Sequence, residues 1–234
     1  MENERYKDCF KQLVKQSADN NIYIGTGNPN SKILFVGKER PNENDCKEFG
    51  YAKWWINEFN KKDYFDYPFD KKMLYEKGRK EGWMWRKYQK LYECFCPQNE
   101  KDIHFERKVF TTEMNINPSK ISRDASKIGL QERKDTLFWS DFIQQFSVVV
   151  LGVGNFGKNE YLENAQEMYN LFGVTWNDNN PHNSTPRQYY FAHYNSDIDN
   201  KTKLVIHTRN LSNDVSDELL KEIGTVIKDF LNKS

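Results

Sequence analysis

Val148-Val-Val-Leu151, closed by Gly152, is an unbroken run of branched apolar side chains. A strand with one wet face alternates apolar and polar residues, whereas a run that is apolar throughout needs cover on both faces. The stretch therefore reads as a strand buried within a parallel sheet. Ile33-Leu-Phe-Val36, ended by Gly37, repeats the pattern, and Val109-Phe-Thr-Thr112 and Leu204-Val-Ile206 are shorter versions of it. Tyr189-Tyr-Phe-Ala-His193 fits an antiparallel or edge strand.

Helical spacing fills the intervals. Tyr6, Phe10, Leu13 and Val14 mark a helix over about residues 1–20, and three more are expected over Glu132–Phe146, Glu160–Phe172 and about Ser216–Leu231. Asp214 or Ser216 can cap the last of these. Strands alternating with helices predict an α/β fold, a three-layer sandwich whose mostly parallel central sheet has about four or five strands flanked by helices. No repeat or linker interrupts the chain, so residues 1–234 are expected to form one domain.

Composition narrows the function. The chain has 234 residues and a net charge of +1, so any nucleic-acid site must come from local clustering of charge. Cys9, Cys46, Cys94 and Cys96 have no zinc-site spacing and read as free thiols; the four histidines show no paired ligand spacing either. No metal and no organic cofactor is expected. No apolar run approaches the roughly 20 residues that span a bilayer. The first residues also lack a signal-peptide layout, so a cytoplasmic protein with no membrane partner is expected. Residues 57–95 differ from the rest: Lys61, Lys62, Lys71, Lys72, Arg86, Lys87 and Lys90 alternate with Tyr64, Phe65, Trp83, Trp85, Tyr88 and Tyr92. This helical insertion is either a basic, aromatic surface for phosphates and bases, or an amphipathic layer whose lysine stems cover apolar surface.

In a parallel α/β sheet, functional groups gather past the C-terminal ends of strands. Three such places carry chemistry. Gly37-Lys-Glu-Arg-Pro41 turns out of the first long strand and presents Glu39. His207-Thr-Arg-Asn-Leu-Ser212 follows the last strand with a histidine able to donate to an anion, Arg209 for phosphate, and Leu211 as an exposed apolar wedge. Gly152-Val-Gly-Asn-Phe-Gly157 matches a dinucleotide fingerprint, with Asp178 placed to read a ribose, although it lies late in the chain for that role. Each place also has a plain structural reading, as a strand-end turn, a helix approach or a close helix–strand contact.

The first two motifs, with Val148–Gly152 between them, resemble the uracil-DNA glycosylase superfamily from about Ser31 onward. The resemblance puts Gly37, Lys38 and Glu39 in the motif whose acidic residue positions water or stabilises the sugar cation. It puts His207 where the departing base is stabilised, Leu211 where an apolar residue enters the duplex, and Arg209 and Ser212 beside them. Phe49 becomes a ring that can stack on the base, or else a core residue. Glu113, with Asn115 two residues on, stands where the family reads the base edge. An ionised carboxylate only accepts hydrogen bonds and suits an amino-bearing base better than uracil. Arg40, Thr208 and Arg209 depart from the family pattern.

The resemblance implies a DNA partner and hydrolysis of the N-glycosidic bond of a flipped-out base, with Glu39 and His207 catalytic and no cofactor. Two other functions fit the same residues: a non-catalytic nucleic-acid or nucleotide-binding module, and a nucleotide-cofactor enzyme using Gly152–Gly157.

Overall fold

A computed structural model describes residues 6–39, 49–60, 83–101, 103–117, 119, 125–154, 161–175, 182–185, 188–195, 201–211 and 215–233. Strands β1 to β7 are Thr26–Gly27, Ile33–Glu39, Phe110–Asn115, Val148–Leu151, His182–Thr185, Gln188–Tyr194 and Leu204–Thr208. They form one sheet in the order β1-β3-β2-β4-β7-β6-β5. β3, β2, β4 and β7 run parallel, while β1 against β3, β6 against β7 and β5 against β6 are antiparallel.

The fold is α/β with a mixed sheet, and this corrects the expectation of a mostly parallel sheet of four or five strands. The reason lies in the connections. Parallel neighbours need a crossover of a dozen or more residues. Only residues 195–203 join β6 to β7, and only 186 and 187 join β5 to β6. Both links are too short for anything but antiparallel pairing.

The helices are α1 (Asp8–Gln16), α2 (Ala52–Phe59), α3 (Trp83–Phe95), α4 (Leu130–Arg133), α5 (Asp141–Gln144), α6 (Ala165–Phe172) and α7 (Asp217–Lys233). Alternate residues of β2 enter different cores. Leu34 and Val36 pack with Phe10, Trp55, Phe142 and Phe172, while Ile33 and Phe35 pack with Tyr88, Leu91, Leu219 and Ile223. Both faces of the central strands are thus covered, as their continuous apolar runs require. Each such side chain contributes roughly 1.5–3 kcal/mol on burial. Trp55 also donates its indole N–H to the Gly25 carbonyl at 2.9 Å, which satisfies the one polar atom of a fully buried ring.

Several boundaries move. The helix expected over Glu132–Phe146 is broken: α4 runs into a single π turn, Lys134–Phe138, and α5 restarts at Asp141. Ser140 causes the restart, because its hydroxyl accepts from the Ile143 N–H at 3.3 Å and caps a new helix. Asn164 does the same for α6, which begins at Ala165 rather than Glu160. The first helix is shorter than the expected 1–20.

The insertion can be judged over α3. Tyr88, Leu91 and Tyr92 are core, and Lys87 and Lys90 both reach the Asp217 carboxylate at the start of α7, at 3.3 and 2.8 Å. In this part the amphipathic-layer reading holds; Lys61, Lys62, Lys71, Lys72, Tyr64 and Phe65 lie outside the described residues. Where α3 crosses α7, a Cβ on Gly224 would overlap the Cys94 side chain. Gly224→Ala is therefore expected to lower stability by about 1–3 kcal/mol, seen as a lower urea midpoint at constant slope. An unchanged midpoint would contradict the close α3–α7 contact.

Candidate functional site

Parallel register brings the C-terminal ends of β2, β3, β4 and β7 to one edge of the sheet. Gly37 stands opposite Glu113 and Glu39 opposite Asn115; Val36 is level with Leu151, and Leu151 with His207. β4 separates β2 from β7, so Val36 and His207 lie about 10 Å apart, and Glu39 rises about 10 Å further along its strand. The catalytic pair expected from the sequence therefore shares an edge but not a contact.

Gly37 does not end its strand. β2 continues through it to Glu39, and the glycine serves a different need: a Cβ there would overlap the Glu113 carboxylate. Glu113 is almost fully buried, sunk against the sheet beneath α3. The fully buried Tyr88 lies near enough that burial first, and the Glu113 charge second, raise its phenol well above the ordinary range. Asn115 is committed to the chain that follows. Its amide donates to the Ser126 carbonyl at 2.7 Å, and its oxygen accepts from the Asn117 N–H at 3.0 Å. Asn115 shapes a loop and is not placed to read a base, which corrects its assignment.

Glu39 is the centre of the edge. The Tyr161 hydroxyl donates to its Oε2, Lys127 lies over the Tyr161 ring at 3.7 Å from its centroid, and Lys38 lies at 5.9 Å from the same centroid. Lys38 is half-buried. Burial is the main cause that lowers its pKa; Glu39 opposes the shift, and the nearby charges of Lys127 and Arg209 add to it. One carboxylate, a phenol and three cations are thus gathered where β2 and β7 end. Sequence reasoning supplied Lys38, Glu39 and Arg209 but missed Tyr161 and Lys127. Both sit in segments without strand or motif signal, joined to the site only by the fold.

His207 and Leu211 depart from their expected places. His207 is not on a loop: it lies within β7, fully buried, paired to Leu151 on one side and Phe191 on the other. Its Nε2 meets the Gly154 carbonyl, which can only accept, so the ring donates there. That donor is spent on tying the chain after β4 to β7, not on a substrate. Leu211 is 1% exposed and belongs to the core with Leu219 and Ile223, which excludes the wedge role. Removing an apolar side chain from water is favourable, so a leucine within reach of a core is drawn inward. Phe49 is 9% exposed and packs edge-on against Trp54 at 4.5 Å, so it is largely core. Ser212 and Arg40 lie outside the described residues.

The glycine-rich stretch is also accounted for locally. The Gly152 N–H donates to the Val36 carbonyl at 2.8 Å and the Gly154 N–H to the Thr208 carbonyl at 3.0 Å, stitching β4 to both neighbours. Gly154 has φ +89°, a left-handed conformation that favours glycine. A dinucleotide fingerprint needs a helix N-terminus directly after its glycines. The residues directly after Gly154, 155–160, lie outside the described residues; beyond them Tyr161–Asn164 are not helical and α6 starts at Ala165. Asn155, Phe156, Gly157 and Asp178 lie outside the described residues.

Among the described residues no group of three or more His, Cys, Asp and Glu could hold a metal ion, and no helix is long and apolar enough to cross a membrane. Cys9, Cys94 and Cys96 are free thiols. No family model matches this chain, and no curated protein matches it.

The sequence also gave no hint that His207 has a buried companion. Phe191 stacks on both His207 and His193, with centroids 5.9 and 6.3 Å away. Burial pushes His207 down to about 4 and His193 down to about 3, the charge of His207 adding to the latter. Both rings are neutral in the fold near neutrality and take up a proton near pH 6.5 once unfolded. Their stabilising neutral burial is thus complete above about pH 6.5. It is lost as the pH falls toward 4, at about 1.4 kcal/mol per pH unit for each ring. His193→Phe is expected to flatten the fall in melting temperature between pH 6.5 and 4 by about half. An unchanged pH slope would contradict burial of a titrating His193.

Proposed function

We propose that this chain hydrolyses the N-glycosidic bond of a base in DNA, with Glu39 as the group that handles water. The observation that carries the reading is the setting of Glu39: hydrogen-bonded by Tyr161 and flanked by Lys38, Lys127 and Arg209 at the end of a parallel strand. It is supported by the likeness of Gly37–Glu39, Val148–Gly152 and His207–Leu211 to the uracil-DNA glycosylase superfamily. On the same reading the helices on the two faces form the outer layers of a three-layer sandwich around its parallel strands, and the protein works in the cytoplasm.

The chemistry follows from charge. Breaking the bond leaves a cation-like sugar and sends the electron pair to the base nitrogen. Glu39, held in one orientation by the phenol, stabilises that cation and takes a proton from the water that adds to the anomeric carbon. The departing base carries negative charge, and Lys38 and Arg209 are the donors at hand, since His207 has given its N–H to Gly154. Lys127 and Arg209 also attract phosphate. Glu113, buried against Gly37, lies beneath this edge as part of its support and does not face a substrate.

A second reading, a binding module without catalysis, is favoured by one observation: the commitment of His207 Nε2 to a backbone carbonyl. Oligonucleotides carrying uracil, hypoxanthine, xanthine or a G·T mismatch, single- and double-stranded, treated with alkali after incubation, separate the two. Hydrolysis requires alkali-labile product from at least one of them. The single-turnover rate is expected to fall at least about a hundredfold in Glu39→Gln and about tenfold in Tyr161→Phe, where the carboxylate keeps its place but loses its tether. Wild-type rates in Glu39→Gln would overturn the role of Glu39. Salt-dependent binding without product would establish the binding module.

A further inference from the structure

The three cations at the end of β2 are not chemically alike. Arg209 carries a guanidinium, which stays protonated and is no nucleophile. The Lys127 ammonium is held over the ring of Tyr161, 3.7 Å from its centroid, where the π face attracts positive charge. Lys38 differs from both. Its amine stands off the same ring at 5.9 Å, and among the described residues it makes no hydrogen bond and no ion pair.

Its surroundings favour the neutral amine. Lys38 is half-buried, and burial is the first cause that lowers its pKa; Glu39 opposes the shift, and the charges of Lys127 and Arg209 add to it. A neutral amine attacks carbonyl carbon, whereas an ammonium cannot. Next to it in the chain is a carboxylate, Glu39, held by the Tyr161 hydroxyl. Consecutive residues of a strand leave opposite faces of the sheet, yet Lys38 and Glu39 both approach Tyr161, because that ring lies across the end of β2. A nucleophile and a base are thus neighbours at one edge. A half-buried lysine often only covers apolar surface with its stem. What separates Lys38 is that its amine has like charges for neighbours and a fixed carboxylate beside it.

We propose that Lys38 forms an imine with the abasic sugar of DNA and that Glu39 then cleaves the strand by β-elimination. This is a second activity, one step beyond base hydrolysis, and it rests on the reading of this edge as a site for DNA. The substrate is what hydrolysis leaves behind, a sugar that opens to an aldehyde at C1′. The Lys38 amine adds to that carbon, and the adduct loses water to give a protonated C=N bond. Glu39 takes a proton from C2′. The electron pair left there forms the C2′=C3′ bond as the C3′–O bond breaks, and the phosphate departs with that bond's electrons as the 5′ end of the downstream strand. Water then hydrolyses the C=N bond, which returns the amine and leaves an unsaturated aldehyde on the upstream strand. No oxidant, reductant or metal enters the balance.

The test uses the full chain and a labelled duplex with one chemically prepared abasic site, so that no base has to be released first. Borohydride added during the reaction reduces the C=N bond and fixes the sugar to the protein. The expected result is a covalent adduct that peptide mass spectrometry maps to Lys38, and a 5′-phosphate product that appears without alkali. Lys38→Arg keeps the charge but cannot form an imine, and is expected to lower both signals at least about a hundredfold. The adduct map needs no variant, so it decides the matter even if Lys38→Arg folds poorly. An adduct on another amine, no adduct at all, or wild-type cleavage by Lys38→Arg would overturn the proposal. The two activities come apart cleanly. Cleavage of the abasic duplex through Lys38, with no base released from any oligonucleotide, refutes hydrolysis and keeps the imine. Base release with no trapped adduct keeps hydrolysis and refutes the imine.

Discussion

The placement of β2 between β3 and β4, parallel to both, is the constraint on which everything else depends. Hydrogen bonding in register fixes Gly37 opposite Glu113, Glu39 opposite Asn115 and, through β4, Val36 level with His207. Four strands then end at one edge; Lys38, Glu39 and Arg209 are on or just beyond those ends, and the fold brings Lys127 and Tyr161 to them from the chain after β3 and β4. The antiparallel additions, β1 on one side and the β6–β5 hairpin on the other, widen the sheet and bury β7. That burial turns His207 from a loop residue into a sheet residue.

The site is the outcome of competition between burial and exposure. His207, Leu211 and Glu113 have chemistry suited to a substrate, yet each is drawn into the fold: the first by a carbonyl that needs a donor, the second by an apolar core, the third by the gap that Gly37 leaves. Lys38, Glu39, Lys127 and Arg209 remain half-buried at the edge, where water still solvates part of each charge. An ionic group gains strength as a hydrogen-bond or Coulomb partner when water is partly excluded, and becomes costly when it is excluded altogether. The edge lies in between. Glu39 with Tyr161 is fixed in orientation without being sealed.

Much of the architecture was legible from residue patterns. Val148–Leu151 and Ile33–Val36 have apolar side chains at every position, and both lie in the centre of the sheet as that pattern demands. The 132–146 periodicity marked a true helical region but could not show the break at Ser140, because a capping serine and a helix-interior serine look alike without the backbone. β1, only two residues long, and α2 had no adequate signal. At the site, Glu39 and Arg209 were legible because they abut strand ends. Tyr161 and Lys127 were not: their partnership crosses long sequence separations and exists only once the sheet has formed. The Leu211 expectation failed for a related reason. A leucine in a polar loop looks exposed until the position of α7 is known.

Amide hydrogen exchange, with and without a duplex carrying a non-hydrolysable nucleotide analogue at a G·T or hypoxanthine position, tests the location of function most directly. Protection is expected at 37–39, 126–130, 152–154 and 207–211, which share one edge of the sheet. Protection confined to the opposite edge, around Ser31–Ile33 and Lys203–Leu204, or no protection at any segment under conditions of saturating duplex, would contradict it.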